Sequence, residues 1–124
     1  MEKFYVCETC KNLIGVVQAS GVPMVCCGKP MTLLNANTVD ASQEKHTPAV
    51  KVNGDTVEVV VGDVLHPMLA EHYIQWIYLK TDKGGQIKYL KPEEAPAATF
   101  TLCGEKAVAV YEYCNLHGLW KTEL

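Results

Sequence analysis

Four of the six cysteines in this 124-residue chain, Cys7, Cys10, Cys26 and Cys27, fall at its very beginning, and that crowding constrains the fold more than any other feature. Residues 1 to about 35 hold only scattered apolar side chains between the thiols, too few to fold the segment by burial alone. Such a piece needs a staple. In a secreted chain the cysteines would form disulfides. Here Met1-Glu2-Lys3-Phe4-Tyr5-Val6-Cys7 enters a cysteine motif at once and leaves no space for a signal peptide. The chain is therefore expected to be cytoplasmic, where thiolates bind metal rather than one another. Cys7-Glu8-Thr9-Cys10 and Cys26-Cys27-Gly28 would supply four thiolates from two loops, a set that holds zinc or iron tetrahedrally. A zinc ribbon would carry two CxxC knuckles, and this chain has one. The adjacent pair makes a tighter chelate that should pull the tetrahedron away from ideal angles.

From about Thr38 the pattern changes to that of a β-sandwich. Val57, Val59 and Val61 alternate with Glu58 and Val60 after an Asn53-Gly54 turn suited to a tight hairpin. His72–Leu79 is rich in β-branched and aromatic residues and reads as a strand, turned back by Asp82-Lys83-Gly84-Gly85 into Gln86–Leu90. A last pair of strands, about Ala98–Cys103 and Ala107–Tyr113, flanks a turn at Gly104-Glu105. Pro67–Glu71 could form one helical turn, and no segment has a long helical period. Several short, regularly spaced strands predict an all-β sandwich. The net charge of −3 argues against a nucleic-acid partner. No apolar run approaches the roughly 20 residues that cross a bilayer, so no membrane association is expected.

All four histidines, His46, His66, His72 and His117, fall at predicted strand ends or loops, where a sandwich presents ligands. An isolated histidine is usually a surface residue or a satisfied core residue. Their settings, however, are distinctive: Glu44-Lys45-His46-Thr47-Pro48, His66-Pro67-Met68, His72-Tyr73-Ile74-Gln75-Trp76, and Cys114-Asn115-Leu116-His117-Gly118-Leu119-Trp120. Cys114 and His117 form a plausible chelate by themselves. Cys103 reads as a small mid-strand residue without an assigned role. Trp76 and Trp120 read as core or site-packing residues.

The Cys-x-x-Cys…Cys-Cys-Gly head resembles desulforedoxin, a small iron–tetrathiolate protein. The four histidine settings, in this order and at these separations, resemble desulfoferrodoxin-type superoxide reductases over essentially the whole chain. The resemblance implies a desulforedoxin-like metal module over residues 1–36 and an immunoglobulin-like β-sandwich over residues 37–124. It also implies two iron ions per chain. One would be held by Cys7, Cys10, Cys26 and Cys27. The other would be catalytic, with His46, His66, His72 and His117 around it, Cys114 as axial thiolate and a sixth position facing solvent. On the same basis Lys45 attracts superoxide and organises proton-delivering water, and Glu44 takes the sixth position after oxidation. A rubredoxin-like electron donor and a homodimer are further expectations of the resemblance.

The chemistry follows from the residue types. Four neutral imidazoles and one thiolate leave a ferrous site with net positive charge, which favours an arriving anion. Thiolate donation pushes electron density toward the opposite position. An electron carrier without turnover, or a binding module stapled by zinc, would be the alternatives. Five protein ligands and a vacancy suit catalysis better, because structural zinc is closed at four. A dismutase would also have to oxidise superoxide, which a thiolate-rich, externally reduced site should do poorly.

Overall fold

A computed structural model describes residues 2–39, 41, 43–62 and 65–124, with the side chains of Gln43 and Glu44 outside the description. Two compact units are present, Met1–Asn35 and Ala36–Leu124.

The first unit is built on β1 (Phe4–Val6), which pairs antiparallel with β2 (Leu13–Gly15) on one side and β5 (Thr32–Leu33) on the other. A separate two-stranded hairpin joins β3 (Val25–Cys26) to β4 (Lys29–Pro30). Among the described residues of this unit only Phe4, Val6 and Cys7 are well buried. Phe4 packs against the backbone of Gly15, where an added Cβ would sit 3.3 Å from the ring. Two apolar side chains and a thiol make a very small core, so the need for a staple is evident in the packing as well as the sequence.

The second unit is a sandwich of two antiparallel sheets. A single helical turn, α1 (Gln43–His46), leads into β6 (Pro48–Asn53). The Asn53–Gly54 turn then returns the chain as β7 (Thr56–Val61), with Asn53 registered to Thr56 and Gly54 at φ 65°. β10 (Ala97–Thr101) pairs with the other edge of β7, giving the order β10-β7-β6. The second sheet has the order β12-β11-β8-β9, from β8 (Ile74–Thr81), β9 (Gly84–Tyr89), β11 (Ala107–Cys114) and β12 (Gly118–Glu123). Three strands facing four is the layout of an immunoglobulin-like sandwich.

The core lies between the sheets. Val57, Val59 and Val61 point inward from β7 and Phe100 from β10, meeting Ile77 and Leu79 of β8 and Val110 of β11. The alternation of valines in β7 is thus the inward face of a central strand. Three expectations need correction. β10 and β11 flank the Gly104-Glu105 turn but do not pair with each other; the turn carries the chain from one sheet to the other. Pro67–Glu71 is not helical, because mutual backbone hydrogen bonds between Leu69 and His72 close a tight turn there. Cys103 is exposed beyond the end of β10, not a packed strand residue.

Candidate metal centres

The four N-terminal cysteines converge because two tight turns face their thiols together. In the first, Lys11 N–H donates to the Cys7 carbonyl and Cys7 N–H to the Asn12 carbonyl, both at 2.8 Å. This knuckle lets Cys10 N–H point at Cys7 Sγ, 3.4 Å away. In the second, Cys27 and Gly28 link β3 to β4 with φ of 53° and 73°. Positive φ at both central residues is the signature of the type I′ hairpin. The adjacent cysteine pair is therefore a consequence of the turn: Cys26 ends one strand and Cys27 occupies the bend. All four Sγ atoms lie within 4.8 Å of one another, with Cys10 Sγ and Cys26 Sγ at 3.6 Å.

These thiols cannot all ionise unaided. Hydrogen bonding from the Cys10 backbone lowers the Cys7 thiol to about 6. Cys27, hydrogen-bonded first to Cys10 and then to its other neighbours, is pushed up to about 12. Cys26 is also raised, again chiefly by Cys10. One thiolate is favoured and the next ones are resisted, so a four-thiolate state calls for a cation at the centre. The donor set fits iron or zinc.

The second cluster collects ligands from four separated segments. His46 closes α1, His66 lies in the loop after β7, His72 stands just before β8, and His117 lies in the turn between β11 and β12. Cys114 is the last residue of β11 and is fully buried. Ligand atoms of His46, His72, Cys114 and His117 all lie within 4.8 Å of one another. His66 joins them through Nε2, 3.1 Å from His46 Nε2, and its ring meets that of His72 at a centroid distance of 4.7 Å. His117 Nδ1 is 3.0 Å from His46 Nε2. All nine predicted ligands are therefore gathered in two clusters.

The tautomers fit a cation. With its Nδ1 proton donated to the Pro67 carbonyl at 2.7 Å, His66 turns a bare Nε2 lone pair toward the other rings. Among the described residues, buried His72 Nε2 has no hydrogen-bond partner. Burial is the main force lowering His66 to about 4, helped by the neighbouring imidazoles. Burial likewise lowers His72, with contributions from His117 and from the charge of Lys45. Rings kept neutral in this way present lone pairs rather than protons. Burial raises the Cys114 thiol, while N–H groups of Leu116 and His117 oppose that rise by hydrogen bonding to the sulfur. A buried thiol meeting four inward-facing imidazoles is a mixed soft and borderline donor set, which suits a transition metal such as iron.

Around the ligands, Trp120 stacks on His46 with centroids 5.0 Å apart and planes 25° apart. Its indole N–H donates to the His117 carbonyl at 3.0 Å, so one side chain restrains two ligands. Trp76 stacks instead on Tyr113. Lys45 is exposed, and its charge reaches His72. The side chain of Glu44 lies outside the described residues. Sequence reasoning missed Glu112, fully buried in β11 with neither carboxylate oxygen partnered among the described residues, whose ionisation burial pushes well above the usual carboxylate range. It also missed Asn115, although that residue sits inside the Cys-x-x-His motif.

The profile of the desulfoferrodoxin family matches residues 38–123, and that of the desulfoferrodoxin N-terminal domain matches residues 1–34. The chain is 47% identical to a desulfoferrodoxin of Syntrophotalea carbinolica over 119 residues, covering 96% of this chain and 94% of that protein. It is 45% identical to a desulfoferrodoxin of Nitratidesulfovibrio vulgaris over 121 residues, covering 98% and 95%. The crystal structure of the superoxide reductase from Treponema pallidum superposes with a TM-score of 0.83 at 40% identity, covering 99% of both chains. With two cysteine- and histidine-lined clusters on the matching fold, the chain belongs to the desulfoferrodoxin family.

Proposed function

We propose that this chain is a superoxide reductase, in which superoxide takes up one electron and two protons and leaves as hydrogen peroxide, with no dioxygen formed. The observation that carries this reading is the convergence of four imidazoles and one buried thiol on a single point. Five donors leave an octahedral metal one position for a small ligand, whereas a structural zinc site is complete at four. His46, His66, His72, His117 and Cys114 would hold the catalytic iron, and Cys7, Cys10, Cys26 and Cys27 a second one. Bound iron supplies the electron, and the thiolate raises its donating power.

The chain's own groups prepare that position. The Pro67 carbonyl keeps the His66 proton on Nδ1. Trp120 fixes the plane of His46. N–H groups of Leu116 and His117 stabilise charge on the Cys114 sulfur, opposing the burial that raises its thiol. Lys45 places an exposed ammonium close enough to act on His72, a local attraction for an anion on a chain of net charge −3. In this reading Lys45 also orients the water that delivers protons, and Glu44, directly before it, closes the open position after turnover. The N-terminal centre stores an electron received from a rubredoxin-like donor, and the protein works as a cytoplasmic homodimer.

Pre-reduced protein mixed with superoxide tests the reaction. One peroxide per superoxide consumed, with no oxygen evolved, is the expected stoichiometry. Oxygen at half the superoxide consumed would mean dismutation and overturn the assignment.

A further inference from the structure

We propose that Asn115 is a positioning residue for the histidine-rich centre: its carboxamide clasps the backbone on both sides of His72 and sets where that imidazole meets Cys114 and His117. The inference rests on the reading of this cluster as a metal centre.

The need for a clasp comes from the strand geometry. β8 and β11 run in register from Ile77↔Glu112 to Trp76↔Tyr113, but the register shifts between Tyr113 and Cys114, and the ladder ends at Cys114↔Ile74. His72 therefore stands beyond the last paired residue of β8. The mutual backbone hydrogen bonds of Leu69 and His72, at 2.9 and 3.1 Å, shape the turn locally without tying it to β11. Asn115 makes that tie. Tyr73 N–H donates to Asn115 Oδ1 at 2.9 Å. Asn115 Nδ2 donates to the Glu71 carbonyl at 3.0 Å. Its backbone N–H donates to the Tyr73 carbonyl at 3.3 Å.

The chemistry of the side chain matches this task. Glu71 presents an acceptor and Tyr73 a donor on either side of His72, so the clasp needs one acceptor and one donor on a short stem. A carboxamide has both, whereas a carboxylate would face the Glu71 carbonyl with a second acceptor. Asn115 lies next to Cys114 and two residues before His117, so movement at either ligand is passed directly to the His72 segment. Groups that orient metal ligands from behind typically alter metal affinity 10- to 100-fold when removed.

The test uses the full-length protein loaded with iron, following loss of iron from the histidine-rich centre to a chelator by the decay of its thiolate-to-iron absorption. Asn115→Ala is expected to speed that loss about 10- to 100-fold while leaving the four-cysteine centre unchanged. The deciding measurement is a double-mutant cycle with His72→Ala. If Asn115 acts through His72, the double variant loses iron no faster than His72→Ala alone. Multiplying fold-changes would show that Asn115 merely props the sandwich, and an unchanged rate in Asn115→Ala would show that it does nothing; either overturns the proposal. Should Asn115→Ala not fold, Asn115→Asp keeps the Tyr73 bond and loses the Glu71 bond. It should then give an intermediate acceleration that is likewise absent in the His72→Ala background. Wild-type protein that takes up no iron with thiolate absorption outside the four-cysteine centre would be a different failure, removing the centre itself and this inference with it.

Discussion

Replacing Gly28 with alanine isolates the contribution of one backbone angle to metal binding. Gly28 has φ 73°, and a Cβ built there meets nothing within 4 Å. The substitution creates no clash, so its whole cost is the left-handed backbone, about 1–2 kcal/mol for a non-glycine residue. The neighbouring Cys27 already carries such a strain at φ 53°. Because the first unit buries little besides Phe4, Val6 and Cys7, folding of the turn and capture of metal are coupled. The strain should therefore weaken metal binding at the four-cysteine centre about 5- to 30-fold. Gly28→Asn, which tolerates the left-handed region, should lose much less. Gly104→Ala provides the control, with φ 70°, equally open space and a position in the sandwich. It should cost similar stability without touching this centre. Competition with a chromogenic chelator gives the affinities, and superoxide reduction by pre-reduced protein reports the other centre. An unchanged affinity in Gly28→Ala would refute the coupling of turn and metal. Loss of superoxide reduction in the folded variant would refute the independence of the two sites.

Cys114→Ser should abolish the thiolate absorption of the histidine-rich centre and the formation of peroxide; a variant retaining both in optical titration and peroxide assay would place the thiolate elsewhere. Lys45→Ile should slow the encounter with superoxide about tenfold or more and flatten its dependence on ionic strength, since an exposed charge acts within a Debye length of about 8 Å at physiological salt. Superimposable rate curves against salt would return Lys45 to an ordinary surface charge. In metal-free protein His66 falls from 6.5 to about 4 on folding, so the unfolded chain binds the extra proton between those values. Stability should be fully present above about pH 6.5 and decline as pH falls toward 4, by at most about 3 kcal/mol. Denaturant midpoints of wild type and His66→Gln across that interval check it, the variant showing the weaker pH dependence.

Residue type and spacing made the four thiolates of the first cluster and the Cys114/His117 pair legible, whereas the full histidine-rich set was legible through its resemblance to desulfoferrodoxin-type superoxide reductases. The β6–β7 hairpin was legible from the residues themselves, with Asn53-Gly54 and the valine alternation both local signals. β12 was not. Leu119 and Trp120 are adjacent and both buried, so the strand lacks the one-sided alternation that reveals a half-exposed strand. Glu112 was hidden for a related reason, since a charge between two tyrosines carries no signal that β11 is buried on both sides there. The separation of β10 from β11 depends on which sheet each strand joins, and a turn sequence does not encode that choice. Asn115 was hidden because its partners, Glu71 and Tyr73, lie more than 40 positions away and contribute only backbone groups.

The two clusters also differ in how much chain must exist before they can form. Cys10 and Cys26 are 16 positions apart, so the first cluster closes a short loop using only the start of the sequence. His46 and His117 are 71 positions apart, and the second cluster needs the turn after β11. Roughly 90 residues separate Cys27 from His117, which at typical synthesis speeds is on the order of 5–20 s of translation. A nascent chain can thus charge its N-terminal thiols while the sandwich is still unfinished, but its histidine-rich centre lacks a ligand until the turn after β11 is made. Scarcity of iron during rapid synthesis would then leave chains filled at the front and empty at the back.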